Sequence, residues 1–178
     1  QITKKVADAC CRSKAKLMFI STTSVYGTQN DVVSEDCALS DLKPQSPYAE
    51  TKLKEENLIR NLAKEEGLDF VICRFGTIYG VSPGMRFHTA VNKFCWQAVM
   101  QIPLTVWKTA LNQYRPYLDL DDACRAFLFF LKKETKDASI YNVNTSNFTV
   151  SEIIQNIRVY IDNLEVELID SKIMNQLS

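Results

Sequence analysis

Tyr48 and Lys52 stand four residues apart in the segment SPYAETK. On a helix that spacing puts both side chains on one face. An ammonium beside a phenol favours the phenolate and so lowers a pKa that is otherwise about 10. A tyrosine tuned in this way exchanges a proton with a substrate hydroxyl. The same spacing also fits an exposed i,i+4 pair on a surface helix, so the neighbouring residues must decide between the two.

Three further segments carry groups suited to a ligand. Ser21-Thr22-Thr23-Ser24-Val25-Tyr26-Gly27 follows a short apolar run. Hydroxyls at the carboxyl end of a parallel strand lie where α/β sheets bind ligands; an ordinary Ser/Thr turn is the alternative. Arg74-Phe75-Gly76-Thr77-Ile78-Tyr79-Gly80 ends a second apolar run, and its glycines permit close backbone approach to a ligand. Arg115-Pro116-Tyr117-Leu118-Asp119-Leu120-Asp121-Asp122 sets an arginine before a strand and acids at a helix start. Alone, Arg115 reads equally as a solvated loop charge. His88, the sole histidine, stands near Arg86 as a possible ligand contact or a partly buried structural residue. Trp107 is open between base stacking and a core or rim position.

The elements that must position these groups alternate. Residues 6–12 read as the end of a helix and Leu17–Ile20 as a strand covered on both faces. A polar loop over 28–45 holds Asn30-Asp31. Ser46-Pro47 then opens a helix that ends at Gly67, with an apolar face of Leu53, Leu58, Ile59, Leu62 and Ala63. Residues 69–75 read as a second buried strand and 76–84 as a loop. A helix is expected over 87–100, with a stripe of Phe87, Val91, Phe94, Cys95 and Val99. Strands follow at 104–107 and 117–120, then a helix from Asp121-Asp122 to Lys132-Lys133 and a strand at 140–143. Thr149-x-x-Glu152 is a capping box opening a further helix. Val166–Ile169 is a last strand, and 170–178 carries no obvious terminal cap. Strands separated by helices argue for a parallel α/β sheet.

Composition limits the partners. The 178 residues hold 21 Lys+Arg and 21 Asp+Glu, a formal charge of zero, with 46% hydrophobic residues and only 5 Gly and 5 Pro. This is a globular composition, with no electrostatic case for nucleic acid or an anionic membrane. No apolar run approaches ~18 residues, so no membrane span is expected. The six cysteines form no C-x-x-C, which disfavours a zinc ribbon, and no metal site is expected. They read as buried, reduced thiols of a cytoplasmic protein. The chain begins at Gln1 without a signal-peptide pattern or an initiator Met, so it is expected to lie within a longer protein.

Taken in order, the four segments resemble the extended short-chain dehydrogenase/reductase family, the NAD-dependent sugar-nucleotide epimerases and dehydratases. STTSVYG resembles the family's S-[ST]-x-x-V-Y-G and SPYAETK its S-P-Y-x-x-[ST]-K. RFGTIYG is similar to R-x-x-N-V-Y-G, and RPYLDLDDA to R-D-[FY]-[IV]-x-V-x-D-A. The resemblance covers about residues 16–154. It implies Tyr48 as acid/base, Lys52 as the holder of the nicotinamide ribose and Thr22 as a helper hydroxyl on the same substrate oxygen. It places Phe75 and Gly76 at the nicotinamide, Thr77 where the family has a substrate-binding Asn, and Arg86, His88 and Arg115 toward the nucleotide-sugar substrate. Arg115 matches the arginine that grips the diphosphate.

Two departures qualify this. Family dehydratases carry Asp-Glu after the catalytic Thr, where this chain has Thr23 and Ser24, so dehydration is disfavoured. No G-x-G-x-x-G is present, and none of the five glycines follows a first strand. In the family that loop lies on the order of 100 residues before Thr22. The sequence therefore reads as a fragment lacking the glycine-rich half, poor at binding a dinucleotide alone. The implied fold is α/β: a partial Rossmann-type parallel sheet with helices on both faces, plus part of a small substrate-binding lobe. Residues 1–80 are expected to belong to the dinucleotide-binding domain. Residues 81–178 are expected to mix lobe elements with a returning strand and helix. The expected function is an epimerase of a nucleotide-diphosphate sugar acting through a transient keto intermediate, using NAD or, on the same motifs, NADP. A reductase or dehydrogenase of the same family and a non-catalytic nucleotide-binding member are the alternatives. The family's homodimer forms through the helix over 47–66, with Leu58, Ile59 and Leu62 as candidate contacts.

Overall fold

The computed structural model describes residues 2–28, 32–132 and 139–170. Asn30-Asp31, Lys133 and 171–178, which figure in the expectations above, lie outside the described residues. The chain divides into two compact units. One is built on the segment up to Gly76 with Cys124–Val143, the other on Thr77–Ala123 with the segment from Asn144 onward.

In the first unit, helix α1 (Ile2–Ser13), strand β1 (Leu17–Thr22), helix α2 (Pro47–Glu66), strand β2 (Phe70–Phe75) and strand β6 (Ser139–Val143) form a sheet of order β1-β2-β6 with helices packed on it. Both pairings are parallel, with Leu17 opposite Phe70, Thr22 opposite Phe75 and Phe75 opposite Val143. α2 has the ends its sequence encodes. Ser46 Oγ accepts from the Ala49 amide, Pro47 occupies the first turn, and Gly67 closes the helix at φ 71°, where a residue with a Cβ is strained. Ile59 and Leu62 of α2 are buried with Ala7, Leu17, Phe70 and Ile72. Burying each such leucine or isoleucine contributes about 1.5–3 kcal/mol. Ile59 and Leu62 are therefore core residues of this chain and not free for a dimer contact.

The second unit holds two small sheets, β3 (Thr77–Tyr79)–β5 (Arg115–Asp119)–β7 (Ser146–Phe148) and β4 (Leu104–Trp107)–β8 (Val166–Ile169). Helices α3 (Ala90–Val99) and α5 (Val150–Arg158) join Leu104, Val106 and Tyr117 in one apolar core. α4 (Leu120–Lys132) follows β5 directly. Thr149 caps α5 through a complete capping box: its Oγ1 accepts from the Glu152 amide while the Glu152 carboxylate accepts from the Thr149 amide.

The structure corrects several expectations. Residues 77–79 form a strand inside the segment expected as loop, and β7 pairs antiparallel with β5, so the sheets are not all parallel. β1 is not covered on both faces, since Ile20 is 45% exposed. α3 starts at Ala90, and its expected stripe fails in part. Phe94 is buried, but Phe87, Val99 and Cys95 are exposed, and Asn92 and Gln97 are buried instead. Those two amides satisfy nearby backbone: Asn92 Nδ2 donates to the Arg86 carbonyl and Gln97 Nε2 to that of Pro103. Hydrophobic periodicity does not register polar residues buried for such bonds. The six cysteines are free thiols, but Cys73 alone is buried, and Cys95 and Cys124 are exposed.

Candidate active site

The first unit brings the Tyr48, Lys52, Thr22, Phe75 and Gly76 segments to the carboxyl ends of β1 and β2. Thr22 is the last residue of β1 and is 9% exposed. It caps the short 3-10 turn over 23–26: its Oγ1 accepts from the Ser24 amide at 3.2 Å and donates to Ser24 Oγ at 3.1 Å. Thr23 Oγ1 donates to the Phe75 carbonyl at 3.3 Å, tying the two strand ends together. The turn closes at Gly27, whose φ is 68°. A Cβ there would lie 2.0 Å from the Lys43 carbonyl oxygen, so only glycine fits. Phe75 and Gly76 are buried, and the Gly76 amide donates to the Val143 carbonyl at 3.0 Å.

Tyr48 lies in the first turn of α2 with its side chain 58% exposed. Lys52 follows one turn later and reaches back to β1. Its Nζ donates to the Ile20 carbonyl at 3.0 Å, sits 4.6 Å from the centre of the Phe19 ring and lies 3.6 Å from Glu55. The lysine is thereby held two residues before Thr22, with the phenol one turn away toward the helix start. An accessible phenol, a fixed ammonium and a capped threonine hydroxyl form a set able to move a proton and hold a polyhydroxylated ligand.

Sequence reasoning missed the polar cluster beneath this set. Arg74 and Glu56 are each 1% exposed. The guanidinium donates from Nε to Glu56 Oε1 at 3.1 Å and from Nη2 to Oε2 at 2.6 Å. Its Nη1 donates to the Tyr26 hydroxyl at 2.9 Å, which donates on to Asn142 Oδ1 at 2.8 Å. Ser21 Oγ donates to Glu56 Oε1. Burial works against the Arg74 charge, but the bonds and charge of Glu56 outweigh it and hold the arginine firmly protonated. Burial likewise raises the Tyr26 phenol, so it stays neutral and serves as donor. A signal was present: Arg74 is the one charge in the apolar strand FVICRF, and a buried charge requires a partner.

The remaining candidates belong to the second unit. Thr77 is exposed on β3 and Arg115 is exposed at the start of β5, its Nη2 donating to Gln113 Oε1 at 3.0 Å. Arg86 is exposed, and His88 is exposed rather than partly buried. Trp107 is a rim residue, 39% exposed at the end of β4. Among the described residues no His/Cys/Asp/Glu group is arranged to hold a metal ion, and no helix is long and apolar enough to cross a membrane.

The NAD dependent epimerase/dehydratase family matches residues 1–144. An uncharacterized UDP-glucose epimerase of Bacillus subtilis (strain 168) is 34% identical over 136 residues, which are 75% of this chain and 40% of that protein. A UDP-glucuronate 4-epimerase of Thermodesulfobacterium geofontis is 31% identical over 117 residues, 66% of this chain and 35% of that protein. The crystal structure of UDP-glucuronic acid 4-epimerase from Bacillus cereus, in complex with UDP-glucuronic acid and NAD, superposes with a TM-score of 0.84 at 28% identity. That match covers 96% of this chain and 54% of the other. The chain thus spans roughly half or less of each of these relatives. Four ordered motifs, the strand-end site and these matches agree: the chain belongs to the NAD dependent epimerase/dehydratase family.

Proposed function

We propose that the protein is an epimerase of a nucleotide-diphosphate sugar with Tyr48 as its acid/base. The observation that carries this reading is Lys52, anchored on the Ile20 carbonyl one turn from the exposed Tyr48 phenol and two strand residues from Thr22. Tyr48 takes the proton of a sugar hydroxyl and later returns it. The Thr22 hydroxyl bonds the same oxygen, and Ser24 orients that hydroxyl. Tyr48, Lys52, Phe75 and Gly76 suit the nicotinamide ribose end of NAD: a fixed ammonium, a phenol and a strand end that admits close approach. When bound there, NAD supplies a hydride acceptor and donor for the carbon that bears the hydroxyl. NADP is the alternative, since the residue that distinguishes the two follows the glycine-rich loop. Thr77, Arg86, His88 and Arg115 are assigned to the sugar and diphosphate. Thr23 and Ser24 hydroxyls, bonded to the Phe75 carbonyl and to Thr22, stand where an eliminating enzyme needs carboxylates, which supports epimerisation over dehydration.

In this reading residues 1–80 belong to the dinucleotide-binding domain, and the protein is cytoplasmic, consistent with its free thiols. It forms a homodimer through the outer face of α2, the inner face being committed to core. Sedimentation velocity tests the dimer. The activity test is incubation of the protein carrying this chain with NAD and UDP-glucose, followed by proton NMR of the sugar. Inversion at one carbon without net NADH is expected. Stoichiometric NADH would identify a dehydrogenase instead, and nucleotide binding without turnover a non-catalytic member.

A further inference from the structure

Glu56 lies one turn after Lys52 and two turns after Tyr48, so all three project from one side of α2. The hydrophobic drive that buries Ile59 and Leu62 is non-directional and sets the roll of that helix less sharply than directional bonds do. The Glu56 carboxylate is not free. It accepts two bonds from the Arg74 fork and one from Ser21. Those partners are the residues immediately before Phe75 and Thr22, and Arg74 is fixed in turn through Tyr26 to Asn142 on the third strand. Two strands thus converge on one helical side chain, and the third braces it through Tyr26 and Arg74. A buried ion pair of this kind is commonly no more stabilising than apolar residues of the same volume, so stability alone gives little reason for it. Its directional bonds fix an orientation.

From this we infer that Glu56 and Arg74 are positioning residues, setting the roll of α2 that holds Lys52 against the Ile20 carbonyl and orients Tyr48 one turn earlier. The catalytic consequence rests on the function proposed above; the placement of Lys52 does not.

The test uses the full chain with lysine labelled by nitrogen-15. The Glu56→Met/Arg74→Met double variant removes both charges together, and its thermal midpoint is expected within about 5 °C of the parent. Its Lys52 ammonium protons should exchange with water at least about tenfold faster as the bond to Ile20 loosens. Ser21→Ala, a small change that removes one strand's bond to Glu56, should speed the same exchange about threefold with little change in midpoint. Unchanged Lys52 exchange in a folded double variant overturns the inference. If the double variant does not fold, Ser21→Ala decides: parental exchange there overturns it equally. In the enzyme, kcat should fall roughly 100-fold with KM nearly constant, as for a misplaced catalytic group. An enzyme with no epimerase activity but accelerated Lys52 exchange would sink the proposed function and leave the positioning role standing.

Discussion

At the ends of β1 and β2, the residues around the motif side chains are buried and hydrogen-bonded. Arg74 and Glu56 are 1% exposed, Ser21 is 2% and Thr22 is 9%. In the unit built on Thr77–Ala123 and the segment from Asn144 onward, Thr77, Arg86, His88 and Arg115 are all exposed, and Arg115 donates to Gln113, two residues away. The first arrangement holds its groups on a rigid polar frame. The second presents its candidate side chains, two arginines among them, to solvent. Proton transfer tolerates little misplacement, whereas gripping a flexible diphosphate does not need preset geometry. The proposed function divides along the same line, with proton transfer assigned to the first unit and diphosphate recognition to the second.

The sharpest way to break that comparison is stability. Glu56→Ala leaves the Arg74 charge buried without its partner and should cost about 3–5 kcal/mol, read from urea unfolding. Arg115→Ala should change stability by less than about 0.5 kcal/mol. Equal costs would remove the distinction between frame and surface. Next in size, Gly27→Ala meets the Lys43 carbonyl at 2.0 Å in a left-handed conformation and should cost roughly 2 kcal/mol or more. Gly67→Ala, with nothing within 4 Å, should cost only about 1 kcal/mol. In the second unit the Thr149 cap is a local anchor, and Thr149→Ala should cost about 1 kcal/mol.

A weaker effect follows from pH. Burial pushes the Cys73 thiol up to about 11 from an ordinary 9.0. Between those values the folded chain holds a proton that the unfolded chain has released. Stability from this group is complete below about pH 9 and is lost as pH rises through about 11. Denaturation midpoints across that range should decline, and Cys73→Ala should flatten the decline.

How much was legible in the sequence follows from the kind of signal each element carries. α2 was readable to its ends because Ser46, Pro47 and Gly67 are local backbone instructions, and the Thr149 box was readable for the same reason. The parallel strands β1 and β2 announced themselves as apolar runs, and β6 was read as a strand at 140–143. β3 and β7 did not, because three residues carry no period and their pairing is set by tertiary partners. The α3 stripe misled because Asn92 and Gln97 are buried to bond backbone, a demand that hydropathy cannot register. At the site, Tyr48, Lys52 and Thr22 were named from ordered motifs. Their supporting frame was hidden because the bonds that link Ser21, Tyr26, Glu56, Arg74 and Asn142 span sequence separations of 18 to 116 residues.

The central claim is that the Tyr48 phenol carries the proton. Tyr48→Phe removes one largely solvent-facing hydroxyl and should leave the unfolding midpoint within error, while UDP-glucose epimerisation measured by proton NMR falls by about 10²–10⁴-fold. A Tyr48→Phe protein that epimerises at the parental rate would contradict the account.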